Sequence, residues 1–182
     1  MEYKHKADIM DSQAINRAVT RIAFEIVEKN KGANDLCFIG IRKGGILLTK
    51  KIVSKIEEIE KSRVLTGWLD VTHFRDDNAG KKLPAQNMTE ISFDVNDKKI
   101  ILVDDVLYTG RTVRAAIDAI MEKGRPKNIQ LAVLVDRGHR ELPIRPDFVG
   151  KNVPTSGNEK VLVSMTEDEV NNKVTIVTKA FI

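Results

Sequence analysis

Ile100-Ile101-Leu102-Val103-Asp104-Asp105-Val106-Leu107-Tyr108-Thr109-Gly110-Arg111-Thr112 decides the fold class. Its first four residues form an unbroken apolar, largely β-branched run, the pattern of a strand covered on both faces in a parallel sheet. Asn96-Asp97 marks a turn before it, and a glycine turn follows it. Val113, Ala116, Ile117 and Ile120 then recur at helical spacing up to Gly124-Arg125-Pro126. Open α/β sheets bind ligands beyond the carboxyl ends of their strands, and this strand delivers Asp104 and Asp105 to that place. Thr109, Gly110, Arg111 and Thr112 supply hydroxyls, an approach free of side chain, and N–H groups at the positive end of a helix, which suit a phosphate. Carboxylates beside a phosphate cradle repel the ligand unless they meet a cation or hydroxyl groups. A sugar phosphate with Mg²⁺ satisfies both demands, while the competing reading of an isolated Asp-Asp pair is a solvated acidic turn.

Working outward, Leu36 to Ile41 is a second short apolar run, opening into Arg42-Lys43-Gly44-Gly45, and Ile46 to Ile59 carries helical spacing. Ile129 to Val135 is another buried strand, and Val64 to His73 a further one. Asp11-Ser12 precedes a helix with Ile15, Ala18, Val19, Ile22, Ala23, Ile26 and Val27 on its apolar stripe, ending at Asn30-Lys31-Gly32; Arg17, Thr20, Arg21 and Phe24 lie off that stripe. Phe74 to Glu90, rich in charge, Gly, Pro and Asn, has the composition of a long connection, a common form for a lid. Lys160 to Met165 and Lys173 to Val177 are expected edge strands. Alternating strands and helices give an α/β fold with a mostly parallel central sheet flanked by helices, in a single domain over residues 1–182.

The composition bounds the rest. The chain has 182 residues, 42% of them hydrophobic, a formal net charge of +4 and a single cysteine. One cysteine forms neither an internal disulfide nor a cysteine-rich zinc site, so Cys37 is expected as a core residue. No window approaches the roughly 18 apolar residues of a membrane span, and the first thirty residues lack a basic-then-apolar signal pattern. A cytoplasmic setting without membrane partners is the expectation. Gly40 to Gly45 fits neither the dinucleotide-binding pattern nor the P-loop spacing. His5, His73 and His139 are too scattered for a zinc site.

The full string from Ile100 to Thr112 resembles the phosphoribosyl-diphosphate (PRPP) signature of type I phosphoribosyltransferases. Val103 to Thr112 is similar, more narrowly, to the family of uracil phosphoribosyltransferases that also regulate pyrimidine-operon attenuation, PyrR. Leu134 to Asp147, Val149 to Ser156, the first helix and Asp70 to Asp77 extend the likeness over most of the chain. The resemblance implies a type I phosphoribosyltransferase fold with a flexible lid at about 74–90 and a small hood at about 135–160 plus the C-terminal strands. It implies transfer from PRPP to uracil, giving UMP and pyrophosphate, with Mg²⁺ as cofactor. Asp104 and Asp105 would bind the ribose hydroxyls directly or through metal-bound water, so that they serve the metal indirectly. Val103, Val106, Leu107 and the turn Tyr108, Thr109, Gly110, Arg111, Thr112 would enclose PRPP, and Arg42, Lys43 and Gly44 would meet its pyrophosphate. Arg75 is the expected catalytic cation of the lid. Val135, Asp136 and Arg137 are the base-site candidates. Tyr108 stands where related 6-oxopurine enzymes carry an acidic residue, and an unperturbed phenol titrates near 10, which disfavours a purine base.

A second role is implied: binding of the pyrimidine leader RNA in response to UMP, by a homodimer or homotetramer. The matching positions are Arg17, Thr20, Arg21, Lys29, His139, Arg140, Arg145 and Lys151. The chain departs from the family pattern twice. Phe24 stands where a histidine is usual, and Lys43-Gly44-Gly45 replaces a Thr-Arg-Gly turn, resembling purine enzymes there. An enzyme without RNA binding, an RNA-binding regulator with little catalysis, and a purine phosphoribosyltransferase therefore stay open as alternatives.

Overall fold

The structure, a computed structural model, describes residues 3–76, 86–168 and 170–179. In chain order the elements are β1 (Tyr3–Met10), α1 (Ser12–Asn30), β2 (Leu36–Ile41), α2 (Gly45–Glu60), β3 (Leu65–Leu69), β4 (Lys99–Leu107), α3 (Arg111–Lys123), β5 (Asn128–Asp136), β6 (Phe148–Asn152), β7 (Glu159–Ser164) and β8 (Lys173–Lys179). A five-stranded sheet has the order β3-β2-β4-β5-β6, with every pair parallel. This is the α/β architecture read from the sequence.

Why β4 is continuously apolar follows from the side-chain period of two. Ile101 and Val103 join Phe38, Ala132 and Leu134 in a core under α1 and α2. Ile100 and Leu102 point the other way, into a core with Val113, Ala116 and Ile120 of α3. All four strand residues are fully buried, and each such side chain contributes about 1.5–3 kcal/mol relative to exposure. Helices therefore cover both faces, and the carboxyl end of β4 is fixed at the centre of the sheet edge. Cys37 is buried beside Ile100, and burial pushes its thiol up.

Helix α1 starts where Asp11 Oδ1 accepts the Ala14 N–H at 2.7 Å. It ends with Lys31 in the left-handed region and Gly32 at φ +109°, whose N–H reaches Val27 O at 2.9 Å. Phe24 stays off the apolar stripe and is 55% exposed.

Four elements differ from the sequence reading. The strand expected over Val64 to His73 stops at Leu69, because Asp70 Oδ1 accepts both Thr72 N–H (3.0 Å) and Thr72 O–H (2.6 Å), turning the chain. Tyr3–Met10, without apolar alternation, forms β1 by pairing antiparallel with β8. Consequently β8 is the central strand of a second sheet, β1-β8-β7, and not an edge. Phe148–Asn152, inside the segment expected as hood, forms β6 and extends the parallel sheet beside β5. Of the expected lid, residues 77–85 lie outside the described residues. Its far end is stitched to β3 by reciprocal Trp68 and Glu90 backbone hydrogen bonds at 2.8 Å.

Candidate active site

Asp104 and Asp105 lie in the C-terminal half of β4, directly after the buried run Ile100 to Val103. Asp104 is 7% exposed. Its Oδ1 accepts the Asp105 N–H at 3.0 Å, and Asp105 Oδ1 accepts the Val106 N–H at 2.8 Å. Burial, then repulsion from the neighbouring Asp105 charge, pushes Asp104 well above the usual carboxylate range, while the Arg75 guanidinium pulls it down. Burial also raises Asp105. A pair held at this cost suits a site where a cation or hydroxyl donors complete its solvation.

The turn after β2 packs against that pair. A Cβ at Gly44 would lie 2.2 Å from the Asp105 carboxyl carbon, and one at Gly45 2.3 Å from Val103 O. Glycine is required here by close approach. The Arg42 guanidinium turns away from the pair to Glu90 (2.9 Å) and Met88 Sδ (3.5 Å), while the Arg42 backbone N–H donates to Leu69 O at 2.9 Å; Lys43 is exposed. Of the expected pyrophosphate group, Gly44 thus adjoins the carboxylates, and the Arg42 side chain does not.

Beyond β4, Leu107 is buried, Tyr108 is 39% exposed, and Gly110 takes φ +93° to launch α3 at Arg111. The N-cap residue, Gly110, has no side chain with which to cap this helix, and its first N–H groups, which lack intrahelical acceptors, face the turn. Thr109 Oγ1 accepts the Arg111 N–H at 3.3 Å. Arg75 reaches this turn, donating to Thr112 Oγ1 at 2.8 Å. The Arg111 guanidinium pairs with Glu141 Oε2 (2.7 Å) and with Asp76. Asp76 and Glu141 were not singled out in the sequence. Separated from Arg111 by some thirty residues on either side, they leave no local signal.

The base-site candidates close the other wall. Val135 is fully buried in β5 and Asp136 ends that strand. Arg137, 6% exposed, donates to Thr155 Oγ1 (3.1 Å) and Glu159 O (2.7 Å), and its guanidinium lies 3.9 Å from the centroid of the Tyr108 ring. His139 meets the same ring edge-on at 6.0 Å and its Nε2 lies 2.5 Å from Thr155 O. Arg140 donates to Tyr108 O, Ile144 O and Asp136. His139 and Arg140, expected on an RNA face, therefore sit at the Tyr108 turn.

The remaining basic candidates gather elsewhere. Arg17, Arg21 and Lys151 line one depression of about 330 Å³ between α1 and β6. Arg21 also donates to Val149 O (3.1 Å) and Gly150 O (2.6 Å), and Lys151 to Ile9 O (3.4 Å). Thr20 borders a larger groove of about 860 Å³ between α1 and α2, with Arg17, Arg21, Lys50, Lys51 and Lys55. Lys29 pairs with Asp147 at 2.6 Å, and Arg145 is exposed on the loop before β6.

Comparison with known proteins follows the same lines. Residues 5–169 match the model of the phosphoribosyl transferase domain. A protein of Acetivibrio thermocellus named "Bifunctional protein PyrR" is 60% identical over 172 residues, 94% of each chain. The chain belongs to the PyrR family. Relatives of the same name from Clostridioides difficile and Bacillus subtilis are 56% and 54% identical, each over 94% of this chain, and 97% and 96% of their own. Among solved structures, the hypoxanthine phosphoribosyltransferase of Trypanosoma cruzi superposes with a TM-score of 0.73 at 16% identity, covering 97% of this chain and 98% of its own. A hypoxanthine-guanine phosphoribosyltransferase from Bacillus anthracis gives 0.72 at 17%, covering 98% and 100%. At those identities the likeness establishes the fold, that of type I phosphoribosyltransferases. The acidic residues of β4 and the turn that launches α3 lie toward the carboxyl end of the parallel strands, the side on which open α/β sheets bind ligands.

Proposed function

We propose that this PyrR-family phosphoribosyltransferase transfers the phosphoribosyl group of PRPP to uracil, and that it also binds pyrimidine leader RNA as a UMP-responsive regulator. Buried Asp104 beside half-buried Asp105, abutted by Gly44 and followed by a helix that starts at a glycine N-cap, carries the enzymatic part. The turn 108–112 receives the 5′-phosphate through its N–H groups and hydroxyls. Asp104 and Asp105 accept the ribose hydroxyls. In the transfer, the bond from the anomeric carbon to pyrophosphate breaks with its electron pair leaving on oxygen, and uracil N1 forms the new bond and loses its proton. The carbon passes through a cationic state, which the two carboxylates favour electrostatically. Arg75, adjoining Thr112, balances charge on the phosphate side and helps exclude water.

Mg²⁺ fits this donor set. The carboxylates of buried Asp104 and half-buried Asp105 repel each other, and a divalent ion relieves that repulsion. Among the described residues no group of three or more Asp, Glu, His or Cys side chains could hold a metal alone, so the ion would take most of its ligands from PRPP oxygens and water, with Asp104 and Asp105 beyond them. When bound, it neutralises the leaving pyrophosphate. Uracil is placed against Val135, Asp136 and Arg137. Tyr108, a phenol in the turn, offers no carboxylate to a purine ring, which favours the pyrimidine.

RNA binding rests on the cations that α1 and β6 bring together, Arg17, Arg21 and Lys151, with Thr20 and Lys29 on the same helix. Phe24, exposed there, gives a stacking surface in place of an imidazole. A homodimer or homotetramer in the cytoplasm completes the proposal; among the described residues no helix is long and apolar enough to cross a membrane. The enzymatic assignment is tested by Asp104→Asn with Asp105→Asn, which is expected to abolish turnover while the circular dichroism spectrum persists. Retained turnover would overturn it. For RNA, Arg17→Ala and Lys151→Ala are each expected to flatten the log K against log salt slope by about 0.7 to 0.9 with turnover unchanged. Unaltered RNA retention in both variants would remove Arg17 and Lys151 from the RNA face, and no retention of leader RNA by the unsubstituted protein would leave the enzyme without the second role.

A further inference from the structure

Arg140 was expected among the RNA-facing cations, yet its guanidinium is spent elsewhere. Its Nε donates to Ile144 O at 2.7 Å, its Nη1 to Tyr108 O at 3.0 Å, and its Nη2 to the Asp136 carboxylate. These acceptors belong to three segments: the loop after residue 140, the phosphate turn, and the end of β5. Around them run backbone bonds of the same bracket, Arg137 N–H to Leu107 O (3.1 Å), Glu141 N–H to Thr109 O (3.0 Å) and Leu142 N–H to Thr109 O (3.2 Å). Asp136 is held from its other oxygen by the Gly138 N–H at 3.0 Å.

We propose that Arg140 is a positioning residue of the base pocket, a clamp that fixes the Asp136 wall and the 138–144 loop against the Tyr108 turn. The inference deepens the transferase reading and rests on its placement of the base at 135–137. Only a guanidinium suits the task, because three acceptors in divergent directions call for a planar fork of donors, and the ammonium of lysine is a point donor on a flexible stem. The clamp is directional without being a pillar of the core. The Arg140 side chain is 22% exposed and Tyr108 39%, so water replaces the lost bonds when the side chain is removed. Geometry relaxes more than stability falls. Displacement of a pocket wall by a fraction of an ångström weakens capture of the base, whereas the 5′-phosphate keeps its own donors in the turn.

The test compares Arg140→Ala and Arg140→Lys with the unsubstituted protein in steady state, using whichever base that protein consumes, with amide hydrogen exchange of residues 138–146 beside it. The expected result is a rise of about tenfold in KM for the base in both variants, with KM for PRPP and the thermal midpoint little changed and faster exchange in 138–146. A base KM within twofold of the original would overturn the clamp. So would parallel rises in both KM values with a lowered midpoint, which mark a general structural role, or loss of RNA retention alone, which marks an RNA contact. If the unsubstituted protein consumes no base, the transferase reading fails, and the exchange measurement still decides whether Arg140 holds the loop.

Discussion

Gly44→Ala isolates the contact between the turn after β2 and the acidic strand end. The added methyl would sit 2.2 Å from both the Asp105 carboxyl carbon and its Oδ2, and 2.5 Å from Oδ1. Ordinary contact begins near 3.4 Å, so the carboxylate or the turn must give way by about 1.2 Å. Gly44 has φ −78° and ψ −34°, which alanine adopts freely, and the effect is therefore steric rather than conformational. Asp105 is held by the Val106 N–H and by its buried surroundings, which leaves a displaced carboxylate out of reach of the ribose hydroxyls. A misplacement of about 1 Å at a reacting centre costs on the order of 10²-fold, or about 2.7 kcal/mol in transition-state stabilisation. The assay is initial-rate phosphoribosyl transfer with the base and PRPP each varied, with circular dichroism to confirm the fold. Gly44→Ala is expected to lower kcat/KM for PRPP about a hundredfold. A folded variant with kcat/KM within threefold of the original would refute the reasoning that Asp105 must stay where Gly44 allows it.

Other outcomes follow from the same site and its supports. Asp104→Asn is expected to raise the thermal midpoint at pH 8 while removing turnover. The folded carboxyl is raised, so its penalty is present above the folded pKa and fades as pH falls toward the ordinary value of 3.8; an equal midpoint at pH 8 would contradict the buried-charge account. Lys6 holds the Glu159 carboxyl low through a side-chain hydrogen bond. That contribution is complete above the ordinary value of 4.5 and is lost as pH falls through the lowered one, so Lys6→Met should raise the Glu159 titration midpoint in carbon-13 NMR. Arg75→Ala is expected to lower kcat because it removes the cation beside Thr112 that opposes the raised Asp104; an unaltered kcat would remove Arg75 from the mechanism.

What was legible in the sequence was local. Ile100 to Val103 announces a strand buried on both faces because its neighbours on either side are also apolar, and the Asp-Asp pair and Gly110 follow by chain order alone. The close approach of Gly44 to Asp105 was foreshadowed only by the presence of paired glycines after β2. Tyr3–Met10 carried no signal, since its strand state comes from pairing with β8 some 170 residues away. The end of β3 was overread because Val71 continues the apolar pattern past Asp70, whose side chain bonds Thr72 and ends the strand. Arg140 and Arg21 are read alike as exposed cations. One is spent on three acceptors at the Tyr108 turn and the other on the β6 backbone, and neither set of partners can be seen along the chain.

The base used remains the point on which the functional account turns, because the Lys43-Gly44-Gly45 turn resembles purine enzymes while Tyr108 opposes a purine. Steady-state transfer from PRPP with Mg²⁺, offered uracil, hypoxanthine, guanine and orotate in separate reactions, tests it directly. Release of pyrophosphate with formation of UMP from uracil, and no turnover of the other three, is the predicted result. Turnover of hypoxanthine or guanine without that of uracil would contradict it.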